Sequence, residues 1–313
     1  MNSIIQNRYD FLYLFDVSNG NPNGDPDTGN APRMDPEDMH GLVSDVAIKR
    51  KIRNYVQISR DNKSPYAIFI THDNVLNRVI QQAHEDVSKQ YADKYKKAKD
   101  YRQKNLIAQA FLKKTFYDVR TFGAVMSTNK DADGNRTTKN AGQVKGAVQI
   151  GFSRSFHPIL PLDISITRMA VATHKEEKDR IEKGTENQTM GRKNIIPYGL
   201  YACQGFVSAH LAGSLADKDI DTGFSSDDLS TLWESLLKMF YEDPSASRFR
   251  MAARGLFVFK HVGTDKSNED QCVRQAKLGC AAAHKLIDPW EDKPIVEVTL
   301  REEIKSPKKF ADY

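Results

Sequence analysis

The chain has 313 residues, 39% hydrophobic and 28% charged, with a formal net charge of +5, which fits a polar, soluble protein of one large domain or a core with insertions. No apolar run approaches the roughly 18 residues of a membrane span, and MNSIIQNRYD lacks the basic and apolar regions of a signal peptide. Cys203, Cys272 and Cys280 are odd in number and lack Cys-x-x-Cys spacing, which disfavours a disulfide framework or zinc site and points to a cytoplasmic, reducing location.

Arg8 to Val17 (RYDFLYLFDV) reads as a buried strand rich in Phe, Tyr and Leu. VSNGNPNGDPDTGN follows, with four Asn, three Gly, two Pro and two Asp in residues 17–30. Asp35-Pro36-Glu37-Asp38 opens a predicted helix that runs to about Arg60. Its apolar face is Leu42, Val46, Ile48, Ile52, Tyr55 and Val56, while Lys49, Arg50, Lys51 and Arg53 form a basic surface. Tyr66 to Ile70 is a short strand candidate, and residues 74–120 read as helical and polar. Between Asp86 and Arg120, ten Lys/Arg stand against four Asp/Glu, with Tyr91, Tyr95 and Tyr101 interleaved. Such a segment sits poorly in a core and suits an inserted lobe, a solvated helix being the rival reading.

Asp133-Gly134 is a tight-turn signal, and GAVQIGF and Ile164 to Val171 carry strand-favouring residues. Residues 173–194 are almost devoid of large apolar side chains, after which IPYGLYACQGFVSAHLA returns to a strand pattern; this reads as a long excursion from a sheet. Ser225 caps a helix to about Tyr241 with Leu229, Leu232, Trp233, Leu236, Leu237 and Phe240 at helical spacing. RGLFVFKHVG (254–263) is a core strand, and a polar tail holds one further strand candidate at Ile295 to Leu300. With insertions removed the order is βαββαβ, that of a ferredoxin-like fold: one antiparallel sheet under two helices with its other face free.

The Asn/Gly loop admits three readings. Asn19, Asn21, Asn23 and Gly24 fall at positions 1, 3, 5 and 6 of a calcium loop, but Asn30 stands where a bidentate Glu belongs, and residues 129–140 fail in the same way at Asn140. A polyanion cradle is better supported: Gly and Asn tolerate left-handed backbone, so successive amides can converge on a phosphate ahead of a helix N-terminus. Arg33 stands just before that helix, with Lys49, Arg50 and Arg53 along it. The third reading is an ordinary long loop before a solvated basic helix. No Walker loop, Gly-x-Ser-x-Gly or His-Glu-x-x-His is present, so neither a catalytic residue nor a cofactor or metal site is assigned.

FDVSNGNPNGDPDTGNAPRMDPEDMHGLVSDVAIKRKIRNYV resembles the N-terminal signature of the CRISPR-associated Cas-seven family, type I-C branch. FYDVRTFGAVM, GQVKGAVQIGFSRSFHP and TMGRKNIIPYGLYACQGFVSAHLA are similar to its later signatures, in the expected order. The resemblance implies an α+β protein with a ferredoxin-like (RRM-like) palm, a helical finger and a long thumb hairpin. The chain then divides into 1–60 (first palm strand and helix), 61–120 (finger), 121–165 (palm strands), 166–196 (thumb), 197–263 (palm strands and second helix) and 264–313 (C-terminal extension).

It also implies a non-catalytic backbone subunit of a Cascade complex, polymerising along CRISPR guide RNA and presenting it to target DNA. Its partners would be further copies of itself, Cas-five, Cas-eight and small-subunit proteins, and a recruited Cas-three helicase-nuclease. A metal-dependent endoribonuclease on a related fold is the alternative. The implied RNA contacts are Asn19, Asn21, Asn23, Gly24 and Arg33 in the loop, and Ser44, Lys49, Arg50 and Arg53 on the first helix. Lys139 and Lys145 flank a Gly-rich strand start. Thr189, Met190, Arg192 and Lys193 lie in or beside the thumb, where Met190 is a wedge between bases or, equally, a core methionine.

Overall fold

The computed structural model describes residues 3–98, 100–127, 130–168, 173–174, 177–178, 182, 189–213, 221–263, 267–280 and 297–300. The tip of the thumb excursion and the tail 301–313 lie outside them. Strand β1 (Tyr9–Gly20) is the spine of the sheet. Its side chains alternate, so Phe11, Tyr13, Phe15 and Val17 are fully buried on one face while Leu12, Leu14 and Ser18 stand on the other. β1 pairs antiparallel with β10 (Thr189–Val207) from Tyr9↔Val207 to Gly20↔Ile196. On its other edge it pairs antiparallel with β11 (Arg250–Lys260), through a bulge at Leu14/Phe15. Adding β12 (Glu297–Leu300), β8 (Ser153–Pro158) and β4 (His40–Val43), the sheet runs β12-β11-β1-β10-β8-β4; β7 (Val148–Ile150) and β9 (Leu162–Arg168) also pair with β10.

Helices α1 (Asp45–Ser59) and α7 (Ser226–Lys238) supply the helical side of the main core. Ile48, Ile52 and Val56 from the first, and Leu229, Leu232, Trp233 and Leu236 from the second, share one cluster with the odd residues of β1. Ser225 and Asp228 close a reciprocal capping box at the start of α7. Short α6 (Ala209–Ala212) follows β10, and α8 (Glu269–Leu278) adds a helix in the tail that the sequence pattern did not signal.

The first helix begins ten residues later than expected. His40–Val43 is strand β4, paired with β8, and Ser44 caps α1 by accepting a hydrogen bond from Ala47 N. The acids at 35–38 are consumed elsewhere: Asp35 Oδ1 accepts from Glu37 N, Asp38 Oδ1 accepts from His40 N, and both carboxylates pair with Arg154. Leu42 therefore lies on a strand, and Val46 is exposed rather than on the apolar face.

A second core holds the inserted lobe together. It joins Phe69, Ile80, Ala83, Leu112, Val119, Met126, Ala141 and Val144. These come from α2 (Leu76–Gln90), α4 (Tyr101–Thr115) and their neighbours, with α3 (Ala92–Lys97) between the two helices. Residues expected as palm strands contribute here: β5 (Gly123–Met126) and β6 (Gly142–Lys145) form a separate two-stranded sheet. Burial of Met126 and Val144 in this cluster is what draws that hairpin to the lobe.

Tyr66–Ile70 is also no strand; it has a single bridge, Ala67↔Phe116. The amides of Phe69 and Ile70 donate to the Asp118 carboxylate, so a side chain does the work of a partner strand. Asp118 belongs to α5 (Tyr117–Thr121), a five-residue helix buried at every position. Just beyond it, Gly123 adopts φ +83°, and a Cβ there would collide with the Val144 carbonyl oxygen and the Gly146 amide. Gly123→Ala is expected to lower stability by more than about 1 kcal/mol in urea denaturation; an unchanged midpoint would contradict this close approach.

Candidate nucleic-acid interface

The Asn/Gly loop closes on itself more than it opens to solvent. β2 (Gly24–Asp25) and β3 (Ala31–Pro32) pair as a miniature hairpin around a 3-10 turn, Pro26–Thr28. Asn21 is buried and donates Nδ2 to Asn30 O at 2.7 Å, while its amide donates to Ser247 O. The Asn30 and Arg33 amides donate to Asp25 O and Asn23 O. Gly24 leaves no room for a side chain, because a Cβ would overlap Asn30 Oδ1. The amides of Asn30 and Arg33 are spent inside the loop and that of Asn21 on Ser247, which corrects the expected nest of free amides.

Asn23 and Ser44 have structural duties too. Asn23 Oδ1 accepts from both Ser44 N and Ser44 Oγ at 2.9 Å, and Ser44 Oγ in turn accepts from Ala47 N. The loop is thereby pinned to the helix cap. What remains presented is Asn19, exposed with φ 48°, and Arg33, whose guanidinium lies 3.5 Å from Asp25. Asn21 Oδ1 and Arg33 Nε are buried and have no hydrogen-bond partner among the described residues.

The basic face of α1 is likewise corrected. Arg53 is buried, with Nε 2.9 Å from Asp118 and its guanidinium 5.1 Å from the Phe122 ring centre. Lys51 is buried against Asp243, and burial lowers its pKa from the ordinary lysine value despite that carboxylate. Lys49 is largely buried and pairs with Asp45 at 2.8 Å; Arg50 donates to Ile70 O. Of the four cations read as a basic surface, Lys51 and Arg53 pair with acids distant in sequence, Lys49 with an acid one turn away and Arg50 with a carbonyl.

The hairpin of β9 and β10 is different. Their register runs from Leu162↔Ile195 to Arg168↔Thr189. Leu162, Ile164 and Ile166 alternate along one face and are exposed, as are Gly191 and Arg192 on the facing strand. The hairpin therefore stands clear of both cores. Thr189 and Met190 sit at its far end, opposite Arg168 and Thr167. Arg192 is 77% exposed and pairs with Asp163 at 3.3 Å, and Lys193 stands opposite Ile164.

Loop and hairpin meet at one end of the sheet. Gly20, where the loop begins, pairs with Ile196, three residues beyond Lys193, and β3 packs against β10. Asn19 and Arg33 thus lie at the base of the hairpin that carries Arg192 and Lys193. Lys139 and Lys145 do not join it through the sheet: both are exposed on the β5–β6 hairpin and its connection. A residue missed in the sequence is Tyr198, half-exposed at the hairpin base and paired in register with Ser18. Burial and a hydrogen bond with Asp16 push its phenol pKa up. Alternation with buried Tyr201 is the signal that turns it to the open face.

These features define a mixed α/β protein: an antiparallel sheet with helices on one face, a helical lobe, and a hairpin that stands free of both. The chain matches the family model "CRISPR-associated protein Cas7" over residues 7–313, and it belongs to that family. A CRISPR-associated protein Cas7 from Haloferax volcanii is 31% identical over 130 residues, 41% of this chain and 35% of that protein. The match thus spans about a third of the relative's length. A solved chain described as "CRISPR RNA-guided surveillance complex, pre-nicking" aligns with TM-score 0.46 at 11% identity, covering 88% of this chain and 83% of that one. A second, "CRISPR RNA-guided surveillance complex", gives 0.45 at 13%, covering 91% and 85%.

Proposed function

We propose that this chain is the non-catalytic backbone subunit of a type I-C Cascade complex, polymerising along guide RNA and holding it for pairing with target DNA. The observation that carries this reading is Cas7 membership across residues 7–313. The ferredoxin-like palm belongs to the same proposal, supported by the core strand order β11-β1-β10-β8 with α1 and α7 on one face. In this reading α2–α4 form the finger and β9–β10 the thumb. Cas-five, Cas-eight, the small subunit and a recruited Cas-three enzyme are the other partners.

Phosphate contacts come from Arg33, Arg192 and Lys193, with Asn19 beside them. Lys139 and Lys145 remain exposed secondary contacts, and Thr189 and Met190 lie at the thumb's distal end. Such contacts supply affinity, while pairing to the guide selects the target. The protein purified from a host that expresses its CRISPR array is expected to carry RNA that sequences as repeat-spacer; random cellular RNA would refute the reading. Arg192→Ala with Lys193→Ala is expected to weaken RNA binding at all sequences alike. It should also flatten the salt dependence by about 0.7 log units per lost phosphate contact on a single strand. Unchanged affinity and slope in filter binding would remove the hairpin from the contact set.

A further inference from the structure

The helical lobe carries a cleft that neither the loop nor the hairpin uses. The first turns of α4 face residues 137–142 across a space of ≈ 530 Å³, lined by Tyr101, Arg102, Asn105, Gln109 and Thr138 among others. It shares Tyr101, Asn105, Thr137 and Thr138 with a second space of ≈ 370 Å³ that adds Tyr95, Lys104 and Lys139, with Glu85 also on its wall. Together they form one elongated groove.

Its wall is held rigid by hydrogen bonds. Asn105 Nδ2 donates to Thr138 O and to Asn140 Oδ1, at 3.3 and 3.1 Å, and Gln109 Nε2 donates to Ala141 O at 2.9 Å. His84 is buried, with Nε2 2.9 Å from Asn140 O and Nδ1 3.1 Å from the Tyr95 hydroxyl. Burial holds its pKa below the ordinary histidine value, despite the Asn140 carbonyl. In the neutral ring Nε2–H donates to that carbonyl, and Nδ1 accepts from Tyr95. The Tyr95 ring is thereby fixed, edge-on to the imidazole.

Against this fixed wall stands an unusual pair. Lys104 Nζ lies 5.4 Å from the Tyr95 ring centre and 5.9 Å from that of Tyr101. Tyr101 itself is 62% exposed. A tyrosine placed there contributes little to the core, yet its ring is positioned by a cation and opens onto a groove with Arg102 and Lys139 nearby. An aromatic face beside several cations suits a flat heteroaromatic ring joined to an anion, which is a nucleotide unit. A base inside a duplex offers no free face, so the strand must be unpaired.

We propose that this groove binds an unpaired nucleobase of a single-stranded nucleic acid, stacked on Tyr101 with its phosphate toward Lys104 and Lys139. The proposal rests on the reading that the chain handles nucleic acid. It is tested by fluorescence anisotropy of the full chain with a labelled oligothymidylate, an RNA oligouridylate, and an abasic oligomer of equal length. Tyr101→Leu is expected to weaken base-bearing DNA or RNA roughly tenfold while leaving the abasic strand unaffected, and Tyr101→Trp to retain binding. The sugar on which the Tyr101 effect is larger identifies the strand. Equal binding of wild type and Tyr101→Leu to both base-bearing strands overturns the proposal; so does an equal loss on the abasic strand. Far-UV circular dichroism checks that Tyr101→Leu is folded. Guide RNA retained alongside an indifferent Tyr101 overturns the groove alone. Its absence alongside Tyr101-dependent base binding overturns the guide-holding role alone.

Discussion

Arg120→Ala is expected to lower stability by about 3–5 kcal/mol, a large share of the total for a folded domain. Its guanidinium is buried and fully engaged. Nε and one terminal nitrogen form a two-point pair with Asp228 at 3.1 and 2.7 Å; the remaining contacts go to the carbonyls of Lys113, Lys114 and Pro65. Lys113 and Lys114 lie in the last turn of α4, where carbonyls lack partners within the helix. Asp228 belongs to the capping box of α7. One side chain thus ties the end of α4 to the start of α7 and holds the loop at Pro65.

Removing it strands a buried carboxylate and three carbonyls together. The hydrogen bonds that Asp228 keeps from Ser225 N and Oγ hold the loss within that range rather than above it. Arg120→Lys should lose less than Ala but remain well short of wild type, since an ammonium has three donors where five are used. Urea denaturation measures both variants, and a loss below about 1 kcal/mol for Ala would show that the joint is not the anchor its geometry describes.

The strands of this fold were legible because their side chains alternate. RYDFLYLFDV and RGLFVFK each bury one side of the chain, and β1 and β11 form where that pattern occurs. The capped helix at Ser225 was equally readable, because its cap and apolar spacing are local. The start of α1 was not. Asp35-Pro36-Glu37-Asp38 has the composition of a helix N-terminus, but its acids are claimed by a turn and by Arg154, more than a hundred residues away.

The same limit applied to the interface. Charge along α1 looked available because Asp118 and Asp243 are remote in sequence, and only the fold brings them to Arg53 and Lys51. The motif FYDVRTFG was visible as a signature, but its physical role as a buried joint was not. Arg192 on the β9–β10 hairpin stays exposed because the hairpin has no core to bury it in, and its partner Asp163 stands on the neighbouring strand at the surface.

Arg53→Ala is the second large effect, and it separates a structural arginine from a ligand-binding one. Arg53 neutralises Asp118, which is 1% exposed and also receives the amides of Phe69 and Ile70. Losing the cation leaves that charge buried with two amides for company, and a loss of about 3–5 kcal/mol is expected. Lys49→Ala, four residues earlier on the same helix, breaks an i,i+4 pair worth about 0.3–0.5 kcal/mol and a cation–π contact with the Phe122 ring worth about 0.5–1 kcal/mol. The two variants therefore part ways. Arg53→Ala should bind RNA poorly only in proportion to its unfolded fraction, and an excluded osmolyte such as sucrose, which favours the folded state, should restore binding. Lys49→Ala should stay folded, so any deficit it shows in RNA binding would be a contact deficit insensitive to osmolyte. Circular dichroism and filter binding on the same samples decide the matter. An Arg53→Ala protein that is fully folded and still fails to bind would place its guanidinium on the RNA and overturn its assignment as a structural ion pair.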